Sequence, residues 1–352
     1  MLAPIAVFAF NRPDLLRQTL DALAGNALAK HSSVTIFCDG PRHEQEEPAT
    51  RAVRAVARHT QGFAALEVVE RPHNLGCAAS IIDGLMCMFT KHERLIVIED
   101  DILCSPYTLS FLNEGLERYQ DSPTVWNIAA WSPPPAIFIV PEGYPYDVYA
   151  VPRFNCWGWA SWRDRVLSVD WHAADFSAFA GNPWLHRAFN AGGADLTPLL
   201  FGQMGGKLNT WDILMDYARF RQGRIGINPV RAYTHNLGMG CGTHTTRRTG
   251  RFDTNIAAAL PPSSDFRWLE HIFVDQDILS AYSEALCPAH HAGDTQHPAQ
   301  ARLQGIRAAR RAIVEKMARL NIPPERICLL TGLDQEEVRL MLIELRREGR
   351  QH

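Results

Sequence analysis

The feature that most constrains the fold is an alternation of two kinds of segment over residues 5–131. Short, almost continuously apolar runs are separated by longer segments whose apolar positions have helical spacing. This alternation is typical of βαβ units, in which helices cover both faces of a parallel sheet. It predicts an α/β fold with a mostly parallel sheet, with strands over residues 5–10, 34–39, 66–72, 94–100 and 126–131 and helices over 13–23, 48–59, 77–91 and 108–119.

The rest of the chain has a different texture, which sets the expected domain organisation. Tryptophans and glycines concentrate between residues 144 and 250, which suits the wall of a cleft better than a second independent core. Helical periodicity returns only near the end of the chain. We therefore expect one domain over residues 1–250 with halves 1–132 and 133–250, a linker or surface excursion over 251–297, and a small C-terminal helical segment over 298–352. The helices of this last segment are also candidates for joining copies of the chain into a homo-oligomer.

Composition excludes several classes of function. The 352 residues are 46% hydrophobic and 21% charged, which is ordinary for a globular protein, and the net charge of −3 provides no basic field for nucleic acid. No run reaches the 18 or so apolar residues of a membrane span, and the apolar opening lacks the basic start of a signal peptide. Eight cysteines without a CxxC pair indicate a reduced compartment. We expect a cytoplasmic protein, with peripheral binding at an inner membrane surface left open.

Three acids follow the predicted fourth strand: Glu99, Asp100 and Asp101. Like charges at the end of a buried strand raise one another's pKa and cost stability unless a positive charge lies among them. In an open parallel sheet, ligands bind beyond the carboxyl ends of the strands. Carboxylates suit Mg²⁺ or Mn²⁺, which commonly join a few protein oxygens to substrate phosphates. The cluster therefore predicts a divalent cation carrying a diphosphate, and the alternative is a solvated surface turn.

Six segments, in order along the chain, resemble those of a known enzyme group. They are PIAVFAFNRPDLLRQTLDAL, IFCDGPR, RPHNLGCAASIIDGL, IEDD in the place of a DxD motif, and the later WGWASW and NTWDILMDY segments. Together, over residues 3–245, they resemble GT-A-type glycosyltransferases, and most of all the inverting family 2-like bacterial enzymes and the inverting N-acetylglucosaminyltransferase I branch.

The resemblance implies a GT-A fold, with a Rossmann-like sheet, and a metal-dependent, hexosyltransferase-like activity. The donor would be a nucleotide-diphosphate sugar, with a UDP-sugar favoured, and Mn²⁺ or Mg²⁺ the cofactor. The acceptor would be a hydroxyl group of a glycan, as in polysaccharide biosynthesis, or of a lipid-linked or other molecule. Residues 1–132 would then bind the nucleotide sugar and residues 133–250 would face the acceptor.

Two alternatives remain open. One is a sugar nucleotidyltransferase, although the first predicted strand is followed by Asn11-Arg12-Pro13 and not by a glycine-rich phosphate loop. The other is a non-catalytic carbohydrate-binding or assembly protein of the same fold.

The resemblance also implies roles for individual residues on the donor side. Asp39 would bind the base, Glu99 and Asp100 would contact ribose or the donor sugar, and Asp101 would be the direct metal ligand. How Asp100 and Asp101 divide this work is left open by the departure from a plain DxD motif. The full set implied to line the nucleotide-sugar site is Phe10, Asn11, Arg12, Asp39, Arg71, Asn74, Gly76, Glu99 and Asp100.

An inverting transfer also needs a carboxylate that deprotonates the acceptor hydroxyl. Asp212 matches the position of the base in related inverting enzymes, with Asp216 as its rival and an ordinary helix-surface aspartate as the plain alternative. His235 lies in a glycine-rich stretch and would be a second metal or diphosphate ligand, with His244 as the other candidate. A histidine that only forms hydrogen bonds within a loop is an equal alternative.

The segment NCWGWASW predicts part of the acceptor site. Flat apolar rings suit the C–H faces of sugars, so Trp157 and Trp159 are candidates for stacking on the acceptor. If both lie on one strand, their side chains face the same side and Gly158 faces the other. Packing in the protein core is the alternative for each ring.

Overall fold

The computed structural model describes residues 2–239, 250–263, 265–286, 314–319, 322–331, 338–339, 341–343 and 345. His244 lies outside these residues. Contacts divide the chain into two compact units, residues 1–291 and 292–352. In the second unit, residues 314–319 and Pro324–Thr331 (α11) are helical, and Val314, Ile327 and Val338 form a small apolar cluster.

An eight-stranded sheet forms the centre of the first unit. Its strand order is β3-β2-β1-β4-β8-β6-β9-β7, and the pairs β3-β2, β2-β1, β1-β4 and β6-β9 are parallel. The strands are β1 (Ile5–Ala9), β2 (Ser33–Cys38), β3 (Ala65–Glu70), β4 (Arg94–Glu99), β6 (Val125–Ala129), β7 (Val148–Val151), β8 (Trp159–Trp162) and β9 (Ile225–Pro229), while β5 (Ile102–Cys104) and β10 (Thr234–Asn236) form a separate antiparallel pair. The predicted α/β class with a mostly parallel sheet flanked by helices is confirmed.

The helices connect and cover these strands. They are α1 (Pro13–Ala24), α2 (Glu47–His59), α3 (Cys77–Phe89), α4 (Thr108–Arg118), α5 (Arg163–Leu167), α6 (Phe176–Ala180), α7 (Pro183–Phe189), α8 (Leu196–Met204), α9 (Asp212–Arg221) and α10 (Gln276–Ala285). Helix α1 begins at Pro13, whose fixed φ and missing N–H suit a first helical position, and it buries Leu16, Leu20 and Leu23 at helical spacing. The four helices predicted from residues 13–119 are confirmed.

Alternation along the strands explains why they are almost continuously apolar. In β1, Ile5 and Val7 belong to one apolar cluster, whereas Ala6 and Phe8 belong to another. Successive side chains of a strand point to opposite faces, so both faces of the sheet are covered and both require apolar residues.

The segment after β8 folds as a helical layer beside the sheet. Helices α6 to α9 surround an apolar cluster that includes Phe179, Phe189 and Tyr217. This layer carries the chain to the start of α9, where Asp212 lies.

Residues 251–286, expected to be part of a linker or surface excursion, are packed into the first unit where the structure describes them. Trp268 stacks on Phe111 with ring centroids 5.2 Å apart, and Tyr282 of α10 packs against Phe138 and Tyr149. Trp268 lies outside any helix or strand, whereas α10 buries Ile278, Ala281, Tyr282 and Ala285 at helical spacing, a short periodic signal that the expectation of a linker overlooked. No helix in the described part of the chain has the length and apolar character that crossing a bilayer requires.

Candidate functional site

Arg12 lies among the acids that follow β4. Strands β1 and β4 are paired in parallel with Phe8 opposite Glu99, so the residues after both strands meet at one edge of the sheet. Arg12 Nη2 bonds to Asp100 Oδ1, and Arg12 Nη1 lies 2.9 Å from Asp101 Oδ2. The charge that holds two of the three acids together is therefore a guanidinium from the neighbouring strand.

Burial and mutual charge perturb this cluster. Burial opposes the charge of Arg12, but Asp100 and Asp101 outweigh it and raise the pKa of the guanidinium. Burial also raises the pKa of Asp100, and Arg12 offsets only part of that effect. Half-buried Glu99 accepts no hydrogen bond from the described residues. Its burial, with the charges of Asp101, Asp212 and Asp100, raises its pKa well above the usual range.

The residues after β10 close over Asp101. Leu237 N donates to Asp101 O at 2.8 Å, and Gly238 N donates to Asn236 Oδ1 at 2.7 Å. A Cβ on Gly238 would overlap Asp101 Oδ2 and lie 3.0 Å from Arg12 Nη1. Only glycine permits this close approach of the backbone to the carboxylate.

The residues present partly fit a divalent cation. Among the described residues, no group of three or more His, Cys, Asp or Glu side chains is arranged to hold a metal. Asp101 Oδ2 faces Arg12, whereas Asp101 Oδ1 accepts no hydrogen bond from the described residues. Mg²⁺ and similar ions are often held by one or two carboxylates together with substrate phosphates and water. Asp101 therefore suits a cation that arrives with a diphosphate, and a site made of protein ligands alone is not formed in this part of the chain.

His235 has one ring nitrogen that is occupied within the protein. Its Nδ1 accepts a hydrogen bond from Thr254 N at 3.1 Å. A backbone N–H can only donate, so the lone pair of Nδ1 is occupied and the neutral ring carries its proton on Nε2. The contact with Thr254 occupies Nδ1, so this nitrogen is not available to a metal at the acids after β4, and metal binding by His235 stays a prediction.

Asp39 is also placed differently from the prediction. The carboxylate is 4% exposed and accepts hydrogen bonds from Gly40 N at 2.9 Å, Leu75 N at 3.0 Å, Gly76 N at 3.1 Å and Asn74 Nδ2 at 3.0 Å. A carboxylate has about four acceptor positions, so these bonds saturate it. Asp39 therefore holds the segment before α3 in place and presents no unused oxygen to a base.

The buried side chain of Arg71 contacts α3 and holds it in place. Its Nη2 lies 2.9 Å from both Ser80 O and Asp83 Oδ2, and its guanidinium lies over the Phe37 ring. The buried side chain is committed to α3, which contradicts its predicted place on the donor surface. Gly76 precedes α3 with a φ of 79°, a backbone conformation that favours glycine.

Six of the predicted donor-site residues remain partly exposed at this edge of the sheet. Phe10 has the guanidinium of Arg42 over its ring at 5.2 Å, and Phe10 N lies 3.4 Å from Asp100 Oδ2. The partly exposed set is Phe10, Asn11, Arg12, Asn74, Gly76 and Glu99.

Asp212 begins α9 and lies near the acids after β4, since its charge contributes to the raised pKa of Glu99. It is half-buried, its Oδ1 accepts a hydrogen bond from Thr210 Oγ1, and its Oδ2 lies 3.9 Å from Cys156 Sγ. The rival Asp216 is 2% exposed and pairs with Arg219. Its burial excludes it from contact with an acceptor.

The two tryptophans do not share a face. Trp159 is 0% exposed and packs against Phe154 and Trp211, with centroids 5.0 Å and 5.7 Å away. Trp157 packs on the other side of the sheet against Trp131 at 4.7 Å. Gly158, with a φ of 81°, interrupts the alternation between them. The prediction that Trp159 stacks on a sugar is wrong because its ring is enclosed in the core.

Sequence reasoning missed two contributors to this region, Thr210 and Cys156, and it missed the contact of Gly238 with Asp101. A threonine two residues before an acid at a helix start is a local signal that was available. The contacts of Cys156 with Asp212 and of Gly238 with Asp101 join residues far apart in the chain, and no local pattern indicates them.

Comparisons with known proteins give distant structural matches. No protein-family model matches the sequence, and no curated protein matches it. S. aureus TarS matches with a TM-score of 0.41 at 10% identity, over 68% of this chain and 37% of that chain. TarS 1-349 in complex with UDP-GlcNAc matches with a TM-score of 0.40 at 10% identity, over 74% and 62% of the two chains.

A third match is the mannosyltransferase PcManGT from Pyrobaculum calidifontis in complex with GDP-Man and Mn²⁺. It has a TM-score of 0.43 at 16% identity, over 98% of this chain and 87% of that chain. The chain spans less than two thirds of the length of both TarS chains. At these values the matches assign neither a family nor a substrate.

Proposed function

We propose that this chain is an inverting glycosyltransferase that moves a sugar from a nucleotide-diphosphate donor to a hydroxyl group of a glycan or another acceptor. One observation carries the proposal. The sheet edge holds a cation-and-acid cluster, Arg12 with Asp100 and Asp101. A separate carboxylate, Asp212, lies close enough to Glu99, the residue before Asp100, for its charge to raise the pKa of Glu99. The cluster suits the diphosphate side of such a reaction, and the separate carboxylate suits the acceptor side.

The chemistry assigns one task to each part. Asp212 accepts the proton of the acceptor hydroxyl while that oxygen forms a bond to the anomeric carbon, and the bond from this carbon to the diphosphate breaks. Arg12, held at the same edge of the sheet by Asp100 and Asp101, offsets the negative charge that develops on the diphosphate. A bound Mn²⁺ or Mg²⁺, held by Asp101, would supply further stabilisation of that charge.

The finer assignments rest on the resemblance of the sequence segments. They are the GT-A fold with a family 2-like or N-acetylglucosaminyltransferase I-like site, the preference for a UDP-sugar, and a cytoplasmic location that includes the inner membrane surface. The division into a donor half at residues 1–132 and an acceptor half at 133–250 is part of the same proposal.

Nucleotide binding and sugar transfer, measured side by side, test the proposal. Thermal unfolding is followed with UDP, GDP, CMP or dTDP, with and without Mn²⁺, and turnover of the corresponding nucleotide sugars is measured with the same protein preparations. A ligand at 100 times its Kd stabilises by about 2.7 kcal/mol, which is readily visible. We expect a metal-dependent shift with UDP that is lost in Asp101→Asn. Asp212→Asn should keep the shift but lose transfer.

Asp121→Asn is the matched control, because Asp121 is exposed and precedes β6 at the opposite edge of the sheet. It should behave as the wild type in both measurements. The proposal is wrong if none of the four nucleotides shifts the unfolding temperature under any condition.

A non-catalytic, sugar-binding role is the second candidate, and one observation favours it. Arg12 already pairs with both Asp100 and Asp101, so each of these carboxylates has a positive partner without a substrate. A nucleotide-sugar shift without any turnover, unchanged in Asp212→Asn, would support this role.

A further inference from the structure

Both oxygens of the Asp212 carboxylate are contacted by side chains that bear no assigned role. Thr210 Oγ1 donates to Oδ1, and Cys156 Sγ lies 3.9 Å from Oδ2. We propose that Thr210, supported by Cys156, is a positioning residue that fixes the orientation of the Asp212 carboxylate toward the acceptor hydroxyl. This inference rests on the proposed function, in which Asp212 is the base.

Thr210 is itself held from the neighbouring helix. Thr210 N donates to Gln203 Oε1 at 2.8 Å, and Gln203 lies in the last turn of α8. Its backbone is thus tied to α8 while its hydroxyl is tied to Asp212. The position of the carboxylate is therefore coupled to the helical layer that packs against α9.

The segment that carries Cys156, on the other side of the Asp212 carboxylate, is held by a hydrogen bond to α9. Phe154 N donates to Asp216 Oδ1 at 3.1 Å, and Asp216 lies one turn after Asp212 in α9. This bond fixes the segment that leads to Cys156. The two contacts on Asp212 therefore come from two different segments, one tied to α8 and the other to α9.

Helix capping does not account for these contacts. A capping side chain accepts hydrogen bonds from backbone N–H groups at the helix start. Here the Thr210 hydroxyl donates to a carboxylate, and no backbone N–H of the described residues donates to Thr210 Oγ1 or to the Asp212 carboxylate. The hydroxyl therefore serves the carboxylate and not the end of the helix.

Fixing the carboxylate leaves it able to act as a base. Each carboxylate oxygen has about two acceptor positions, and the described contacts use one on each. One position therefore remains on each oxygen for the acceptor hydroxyl. A base that is oriented by a third group reacts from a productive geometry, and a misplacement of about 1 Å can cost roughly 100-fold in rate.

The test compares Thr210→Val, which keeps the shape but removes the hydroxyl, with Thr210→Ser, which restores the hydroxyl. We expect the valine variant to lower kcat by about 10- to 100-fold. Its KM for the donor and its nucleotide-induced thermal shift should stay within about twofold of wild type, because Thr210 makes no contact with the cation-and-acid cluster. The serine variant should recover most of kcat.

Thr197→Val is the matched control. Thr197 lies in α8, in the same helical layer, and its hydroxyl lies 3.4 Å from His186 O. Removal of this hydroxyl should leave kcat unchanged. Cys156→Ala should lower kcat by less than Thr210→Val, since a thiol is a weaker donor.

The outcomes separate this inference from the proposed function. Wild-type kcat in Thr210→Val, with Asp212→Asn inactive, overturns the positioning role and leaves the proposed function intact. A parallel fall in kcat and in nucleotide binding, not recovered by serine, also overturns it. Absence of both transfer and nucleotide binding in the wild type overturns the proposed function itself.

Discussion

At the scale of single residues, the acids after β4 are tolerated because Arg12 pairs with two of them. Arg12 lies in the segment after β1, the strand that neighbours β4 in the sheet. Asp100 is buried, and its carboxylate contacts both the Arg12 guanidinium and Phe10 N. Removing one partner of a buried ion pair leaves the other charge without compensation, which costs more than the pair itself contributes. Glu99, which has no such partner among the described residues, is the destabilised member of the cluster.

Arg12→Met should lower the free energy of unfolding by about 3 kcal/mol at pH 7.5. The loss should shrink at pH 5, because protonation of Asp100 removes the charge that has lost its partner. Urea unfolding at the two pH values measures both effects. Arg42→Met is the control: Arg42 pairs with Glu46 at the exposed surface, where an ion pair contributes at most about 1 kcal/mol. Equal losses in the two variants would contradict the role given to Arg12.

Glu99→Gln should stabilise the protein by about 1 kcal/mol at pH 8. The folded-state pKa of Glu99 is raised, so the folded protein holds its proton more tightly than the unfolded chain and stability rises as pH falls. The gain from glutamine should therefore disappear in acid, where Glu99 is neutral as well. Denaturant unfolding from pH 4 to 8 tests this.

Glu117→Gln is the control for the unfolding measurement on Glu99→Gln. Arg94 donates to Glu117 and lowers its pKa, so removal of its charge should not stabilise the protein at any pH. A gain in this variant as large as that of Glu99→Gln would show that the effect is unrelated to burial.

At the scale of elements, the turn before α3 is shaped by residues that follow β2. Asp39 accepts four hydrogen-bond donors from residues 40 and 74–76, and Gly40 lies against the backbone of His73. The predicted donor-site segment thus depends on a carboxylate and a glycine from another strand. Asp39 is buried beneath this surface and fixes its backbone through these hydrogen bonds.

Gly40→Ala should displace this turn, because a Cβ at residue 40 would lie 2.7 Å from His73 Cα and closer still to its carbonyl carbon. Overpacking of this kind typically costs about 1–3 kcal/mol. Nucleotide affinity should fall with stability, as measured by thermal shift and titration. Gly181→Ala is the control, since its Cβ would meet only Ser177 O at 3.8 Å. Unchanged stability and affinity in Gly40→Ala would contradict this account of the turn.

At the scale of the whole molecule, residues beyond 250 complete the core of the first unit. Trp268 donates its Nε1–H to Glu114 and is 4% exposed, and Tyr282 accepts a hydrogen bond from Asn155 Nδ2 at 2.7 Å. Both rings pack against residues that come much earlier in the sequence. The expected domain end at residue 250 would remove both.

A chain of residues 1–291 should fold, and a chain of residues 1–250 should not. Loss of a large buried aromatic side chain costs about 3–5 kcal/mol, and two such losses approach the 5–15 kcal/mol that stabilises a typical protein. Circular dichroism and cooperative thermal unfolding distinguish the two chains. Cooperative, native-like unfolding of residues 1–250 would instead support the expectation that residues 251–297 are a linker or surface excursion.

Local patterns in the sequence determined the order and type of the first strands and helices, the position of the acids after β4, and the start of α1 at Pro13. These follow from side-chain periodicity and backbone preferences, which depend on near neighbours. Only the tertiary structure decided that Arg12 pairs with Asp100 and Asp101, that Asp39 is saturated by residues 74–76, and that Trp159 is enclosed. Each of these depends on which strands become neighbours in the sheet, and burial and hydrogen-bond partners are set by that long-range pairing.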